Sequence, residues 1–72
     1  MVNAPQMWRM KRASEVASIQ SSIREGLKAG IKPEYKKILL ATMSQLGISS
    51  RSAQERIDVA LFNEGIEIPK DI

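Results

Sequence analysis

The chain has 72 residues with no Cys and no His, and its formal net charge is +3. This length fits one domain, and the composition excludes disulfides, thiolate or imidazole catalysis and the usual zinc sites. No apolar run reaches the roughly 18 residues of a membrane-spanning helix, so we expect a soluble, cytoplasmic protein.

The charge is distributed unevenly along the chain. Residues 1–51 carry nine Lys or Arg against three acids, whereas residues 52–72 carry two bases against five acids. A basic first part followed by an acidic tail favours a polyanionic partner. Ordinary solvation of a charged surface is the alternative interpretation.

The first segment, residues 1–13, is predicted to be a basic arm, mobile at its start, because Pro5 interrupts any early helix. Its bases are Arg9, Lys11 and Arg12. The arm can lie along a phosphate backbone. In the alternative, Trp8 and Met10 fold back over the core.

The first predicted helix covers residues 14–29. Ser14 is a plausible N-cap, with Glu15 near the positive helix end. Apolar residues recur at spacings of three and four and predict a buried stripe: Val16, Ile19, Ile23 and Leu27. Gly30 is a natural stop.

Two further helices are predicted over residues 33–46 and 50–64. Pro33 suits the first turn of the former. Its apolar face comprises Tyr35, Ile38, Leu39, Thr42, Met43 and Leu46. The latter has Ser49 as its N-cap, and its buried stripe comprises Ala53, Ile57, Ala60 and Leu61. The predicted domain is therefore 14–68, with a tail at 69–72.

The segment between these two helices is the most informative part of the chain. Gly47 allows the left-handed backbone of a tight turn, Ile48 places an apolar side chain under it, and Ser49 caps the next helix. Ala53 is small enough for the helices to approach closely. Each residue type suits two helices that are joined at a steep angle by a short turn.

This segment resembles the turn of the helix-turn-helix superfamily, and of its winged-helix branch in particular, over about residues 35–68. The resemblance implies an all-α fold, a compact three-helix bundle with a helix-turn-helix. Residues 66–68 alternate like a short strand, so we expect at most a minimal, vestigial wing strand, which can pair with Ile31. Met43 stands where the family usually has Ala.

The resemblance implies a recognition helix over residues 50–58 with its N-terminal end in the major groove of double-stranded DNA. Its outward face comprises Ser50, Arg51, Gln54, Glu55 and Asp58. Arg51 would pair with guanine and Gln54 with adenine. Ser49 and Ser50 would donate to phosphate. Lys36 and Lys37 would meet the DNA backbone from the preceding helix.

The alternative is a protein-interaction module. Arg51 and Glu55 are four residues apart and can simply pair on a solvated helix face, while Glu55 and Asp58 would repel phosphate. The third helix and tail would then dock on a larger protein partner, and a homodimer is also open. No nucleophile has an accompanying base and no glycine-rich phosphate loop is present, so we expect no enzyme activity, metal, cofactor or small-molecule ligand.

Overall fold

The computed structural model describes the backbone of residues 4–70 and the side chains of residues 10–70. Helix α1 spans Ala4–Lys28, α2 spans Tyr35–Leu46 and α3 spans Ser50–Glu64. The fold is all-α, as predicted, and no strand is present between residues 4 and 70.

Helix α1 begins ten residues earlier than the sequence predicted. Pro5 lies in its first turn, where a missing backbone N–H costs nothing, and it does not interrupt the helix. The intervening residues are mostly good helix formers with no Gly. Ser14 is therefore an exposed interior residue and not an N-cap, and residues 4–13 are part of α1.

The predicted stop after α1 is confirmed. Gly30 has a φ of 77°. Its N–H donates to the carbonyl of Leu27 at 3.1 Å, and the N–H of Ile31 donates to the carbonyl of Gly26 at 2.9 Å. This pair of bonds is the Schellman arrangement, which satisfies the last carbonyls of a helix.

The turn between α2 and α3 has the predicted chemistry. Gly47 has a φ of 63°, and its N–H donates to the carbonyl of Met43. Ser49 is extended, and its hydroxyl accepts from the N–H of Ser52 at 3.3 Å. Helix α2 begins at Tyr35, two residues later than predicted, because Glu34 is still extended.

Helix α3 is the centre of the core. It packs against both other helices, and its stripe of Ala53, Ile57, Ala60 and Leu61 is buried as predicted. The small side chains of Ala53 and Ala60 are fully covered, so neighbouring helices approach closely there. The other buried apolar side chains are Val16, Ile19, Ile23, Tyr35 and Leu39.

Leu27 is the exception to the predicted core, because its side chain is 45% exposed. The contact between Arg24 and Glu64 marks the level at which α3 ends. Leu27 lies almost a turn beyond that level and therefore has no part of α3 to face.

An ion pair between Glu15 and Arg56 joins α1 to α3. Oε2 of Glu15 lies 3.1 Å from Nε of Arg56, and only 10% and 12% of the two side chains are exposed. Arg56 also donates from Nη1 to the carbonyl of Ser52 at 3.0 Å. Glu15 is therefore an interior residue of α1 that neutralises a buried guanidinium, and the prediction that it lies at a helix start is wrong.

The segment after α3 is extended and forms no wing strand. Ile66 and Ile68 pack against the core, while Ile31, which we expected as a pairing partner, is 63% exposed. The alternation of apolar side chains therefore reflects contact with the helices and not pairing with a second strand.

We expect Glu15→Gln to lower the free energy of unfolding by about 3 kcal/mol, because it leaves the buried Arg56 charge without a counter-ion. Glu34→Gln is the matched control, since Glu34 pairs with Lys37 at an exposed site, where solvent screening leaves an ion pair little effect on stability. Urea unfolding measures both. If Glu15→Gln and Glu34→Gln lowered the free energy of unfolding equally, burial would give the Glu15–Arg56 pair no special role.

Candidate nucleic-acid interface

Helices α1 and α3 run parallel, which places their N-terminal halves at the same end of the molecule. Glu15 contacts Arg56, and further along both helices Arg24 contacts Glu64. Arg12 lies one turn before Glu15 and lines a surface groove with Val16, Glu55 and Arg56. The structure thus brings a base from the predicted arm beside the predicted recognition helix.

Arg51 and Glu55 lie on the outer surface of α3 and are both exposed. The ion pair that their spacing allows does not form, since the pairs among described residues involve neither of them. Arg51 lies in the first turn of α3 and is accessible to a ligand. Arg12 and exposed Lys11 follow each other on α1.

The serines at the start of α3 bond mainly to their own helix. The Ser49 hydroxyl accepts from the N–H of Ser52 and donates to its hydroxyl at 3.2 Å. Gln54 is half-buried, and its Nε2 donates to the hydroxyl of Ser50 at 3.1 Å. The Gln54 amide is therefore partly engaged, which makes it a poorer reader of adenine than the sequence implied.

Asp58, predicted to be on the outward face, is held by two other side chains of the fold. Its Oδ1 accepts from the Tyr35 hydroxyl at 2.9 Å, and its Oδ2 lies 2.7 Å from Nζ of Lys70. The Lys70 ammonium also lies 5.4 Å from the centre of the Tyr35 ring, within cation–π range. Burial and the hydrogen bond to Asp58 raise the pKa of Tyr35, so the phenol stays a donor.

Glu64 is held in the same way at the other end of α3. Arg24 forms two parallel contacts with its carboxylate, at 2.6 and 2.8 Å, and Gln20 donates to it at 2.7 Å. Asn63 completes the cluster by donating to Gln20 at 3.1 Å. The hydrogen bonds from Arg24 and then Gln20 lower the pKa of Glu64 to about 2.

The remaining predicted contacts lie elsewhere. Lys36 and Lys37 are exposed at the start of α2, roughly 15 Å along the helix from the turn at 1.5 Å per residue. Lys37 pairs with Glu34 at 2.9 Å, which lowers the pKa of that carboxyl. The structure does not bring these lysines into contact with Arg51. Arg9 lies outside the described side chains.

An apolar surface on α3 was not predicted from the sequence. Phe62 is 84% exposed and Val59 is half-exposed. Both follow Arg51 and Glu55 on the outer side of the helix, opposite the stripe of Ala53 and Ile57. The two residues are three apart, so a helical-wheel projection of α3 places them together on the side away from the buried stripe, and this pattern could have predicted the surface.

We expect acidification to expose the role of Glu64. Because its pKa is below the ordinary 4.5 in the folded state, its charged form stabilises the fold above that pH, and the contribution is lost as the pH falls toward about 2. Glu64→Gln should therefore lower the free energy of unfolding near neutral pH. Between pH 4.5 and about 2, the variant should lose less stability than the wild type as the pH falls. Urea unfolding at a series of pH values measures both effects.

Glu25→Gln is the control, since Glu25 is exposed and makes no ion pair with a described residue. If the free energy of unfolding of Glu64→Gln fell with pH in parallel with that of the wild type down to the lowest pH, the stabilising role of the charged Glu64 would be contradicted.

Over residues 4–70, no helix combines the length and apolarity needed to cross a membrane, and no group of three or more carboxylates is placed to hold a metal ion. The chain matches no protein-family model, no curated protein and no solved structure. Its function must therefore be inferred from the geometry and chemistry of its own surfaces.

Proposed function

We propose that this chain binds double-stranded DNA without enzymatic activity, mainly through the phosphate backbone. The observation that carries the proposal is the parallel arrangement of α1 and α3. It places Arg12 beside the N-terminal half of α3, on which Arg51 is exposed. Arg12 and Arg51, which are distant in the sequence, are then both available to phosphate on one side of the molecule.

The internal ion pairs support this proposal by removing the main objection to it. The acidic second part of the chain would repel phosphate if its carboxylates were free. Asp58 is instead neutralised by Lys70, and Glu64 by Arg24. Arg12 and Arg51 form no such pair with a described residue, so their charge is available for phosphate. Glu55 is the one exposed acid on α3 that still opposes it.

The turn also supports docking by the mode that the helix-turn-helix resemblance implies. Gly47 is left-handed and Ser49 caps α3, so the start of α3 is a well-formed helix end that can enter a major groove. Backbone N–H groups at such an end favour phosphate. A small regulator, or an accessory factor of replication or chromatin at the nucleoid, would have this chemistry.

We expect Arg12→Gln and Arg51→Gln each to weaken binding to a random-sequence duplex. Each should also reduce the slope of log affinity against log salt by about 1, because one fewer counter-ion is released. Fluorescence anisotropy with a labelled duplex at several salt concentrations measures both effects.

Lys28→Gln is the matched control, since Lys28 is exposed in the last turn of α1, far from Arg12. It should retain the wild-type slope. Absence of any binding at low salt would overturn the proposal. If Lys28→Gln lowered DNA affinity as much as Arg12→Gln, net charge and not this surface would drive binding.

A second candidate function is protein interaction, favoured by the exposure of Phe62 and Val59. The acidic docking that the sequence suggested is weakened because Asp58 and Glu64 are engaged within the fold. An exposed apolar pair on a convex helix can instead pack against the same residues of a second copy about a two-fold axis. The partner in this case is another molecule of this chain.

We expect the protein to form a dimer of twice its 8.0 kDa mass in sedimentation equilibrium, and Phe62→Ser to dissociate it. Leu40→Ser is the control, because Leu40 is exposed on α2 and should not change the mass. A wild-type protein that stays monomeric at high concentration would rule out self-association through this surface.

A further inference from the structure

A groove between α1 and α2 is the least expected feature of the surface. These two helices pack against α3 far more than against each other, and a space of about 250 Å³ separates them. Exposed Ile31 and half-buried Ile38 line it, above the buried side chains of Ile19 and Ile23, and no residue of α3 does so. The groove therefore opens away from the proposed DNA-binding surface.

One wall of the groove is made of small residues of α1. Ser18, Ser22 and Gly26 follow one another at intervals of four and line the same side. A Cβ built on Gly26 meets no atom within 4 Å, so the space above this wall is open. Small side chains along a helix let a second helix approach closely, which is a recurrent basis of helix packing.

We propose that this groove binds one amphipathic helix of a partner protein, with apolar side chains at spacings of three and four and an acidic residue at one end. The proposal goes beyond DNA binding and does not depend on it. A helix seated between α1 and α2 would give the fold a fourth helix and cover apolar surface that a three-helix domain leaves open.

The size and shape of the groove select this occupant. Pockets for drug-sized ligands usually hold roughly 300–1,000 Å³, so a space of about 250 Å³ suits a few apolar side chains better. A second copy is disfavoured because a concave groove is not complementary to itself.

The charge at one end of the groove selects the acidic residue of the partner. Lys32 and Lys37 line that end together with Glu34. Lys37 already pairs with Glu34 at 2.9 Å. Lys32 is exposed and forms no ion pair with a described residue. One positive charge is therefore left over where the groove ends, and a partner carboxylate is its natural counterpart.

The test uses a synthetic amphipathic peptide of about 16 residues, roughly 24 Å long as a helix, with Leu at spacings of three and four and two Glu at one end. A second peptide has Lys in place of both Glu. Each is titrated into the full chain and followed by amide NMR shifts. We expect the acidic peptide to shift Ser22, Gly26 and Ile38, and to leave Arg51 and Glu55 unchanged.

Two serines of α1 provide a matched pair of variants. Ser22 lines the groove and Ser21 does not, although both are exposed. We expect Ser22→Leu to weaken the acidic peptide about tenfold and Ser21→Leu to have no effect. Gly26→Ala is a milder block that introduces no clash, and it should also weaken binding. Lys32→Glu should reduce the preference for the acidic peptide roughly two- to fivefold, as for an exposed ion pair.

Three outcomes would overturn the proposal. The first is that neither peptide shifts the groove residues. The second is that Ser21→Leu and Ser22→Leu weaken binding equally while Gly26→Ala leaves it unchanged. The third is a wild-type dimer that Ser22→Leu dissociates and Ser21→Leu does not, because a second copy would then occupy the groove. DNA affinity is measured separately on the same variants, so failure here leaves the DNA-binding proposal standing.

Discussion

The ion pair between Glu15 and Arg56 is the contact on which the arrangement of the molecule depends. Both side chains are almost fully covered, and each charge would be costly to bury alone. Their pairing at 3.1 Å requires the middle of α1 to lie against the middle of α3. Any slip between the two helices would leave a charge uncompensated. Together with the Arg24–Glu64 pair further along both helices, this pair defines the parallel arrangement that sets Arg12 beside α3.

The same principle explains how a chain with separated charges forms a domain. The bases of the first part and the acids of the second part meet across the fold in the Arg24–Glu64 pair, while Asp58 is neutralised within the second part by Lys70. The charge on the folded surface is therefore less uneven than the charge along the sequence. The charges that matter for a polyanionic partner are those left over, such as Arg51, and not the totals of the two halves.

Local features of the sequence were sufficient to predict α3, because the Ser49 cap and the stripe through Ile57 both act within a few residues. The start of α1 was missed because Pro5 was interpreted as a break, although the first turn of a helix tolerates it. The environments of Glu15, Leu27 and Asp58 could not be read locally. The burial and partners of Glu15 and Asp58 depend on residues at least 12 positions away in the sequence. The exposure of Leu27 depends on where α3 ends.

Helix α1 links the two surfaces for which ligands are proposed, since it carries Arg12 at one end and the wall at Ser22 and Gly26 further along. A ligand that binds only the folded chain stabilises it, and the stabilisation grows with the logarithm of ligand concentration above the dissociation constant. A helix in the groove would therefore oppose separation of α1 from α2, and DNA would oppose separation of α1 from α3. Both would restrain the same helix through different residues, so any coupling between them must arise from a shared reduction in the mobility of α1 and not from direct contact.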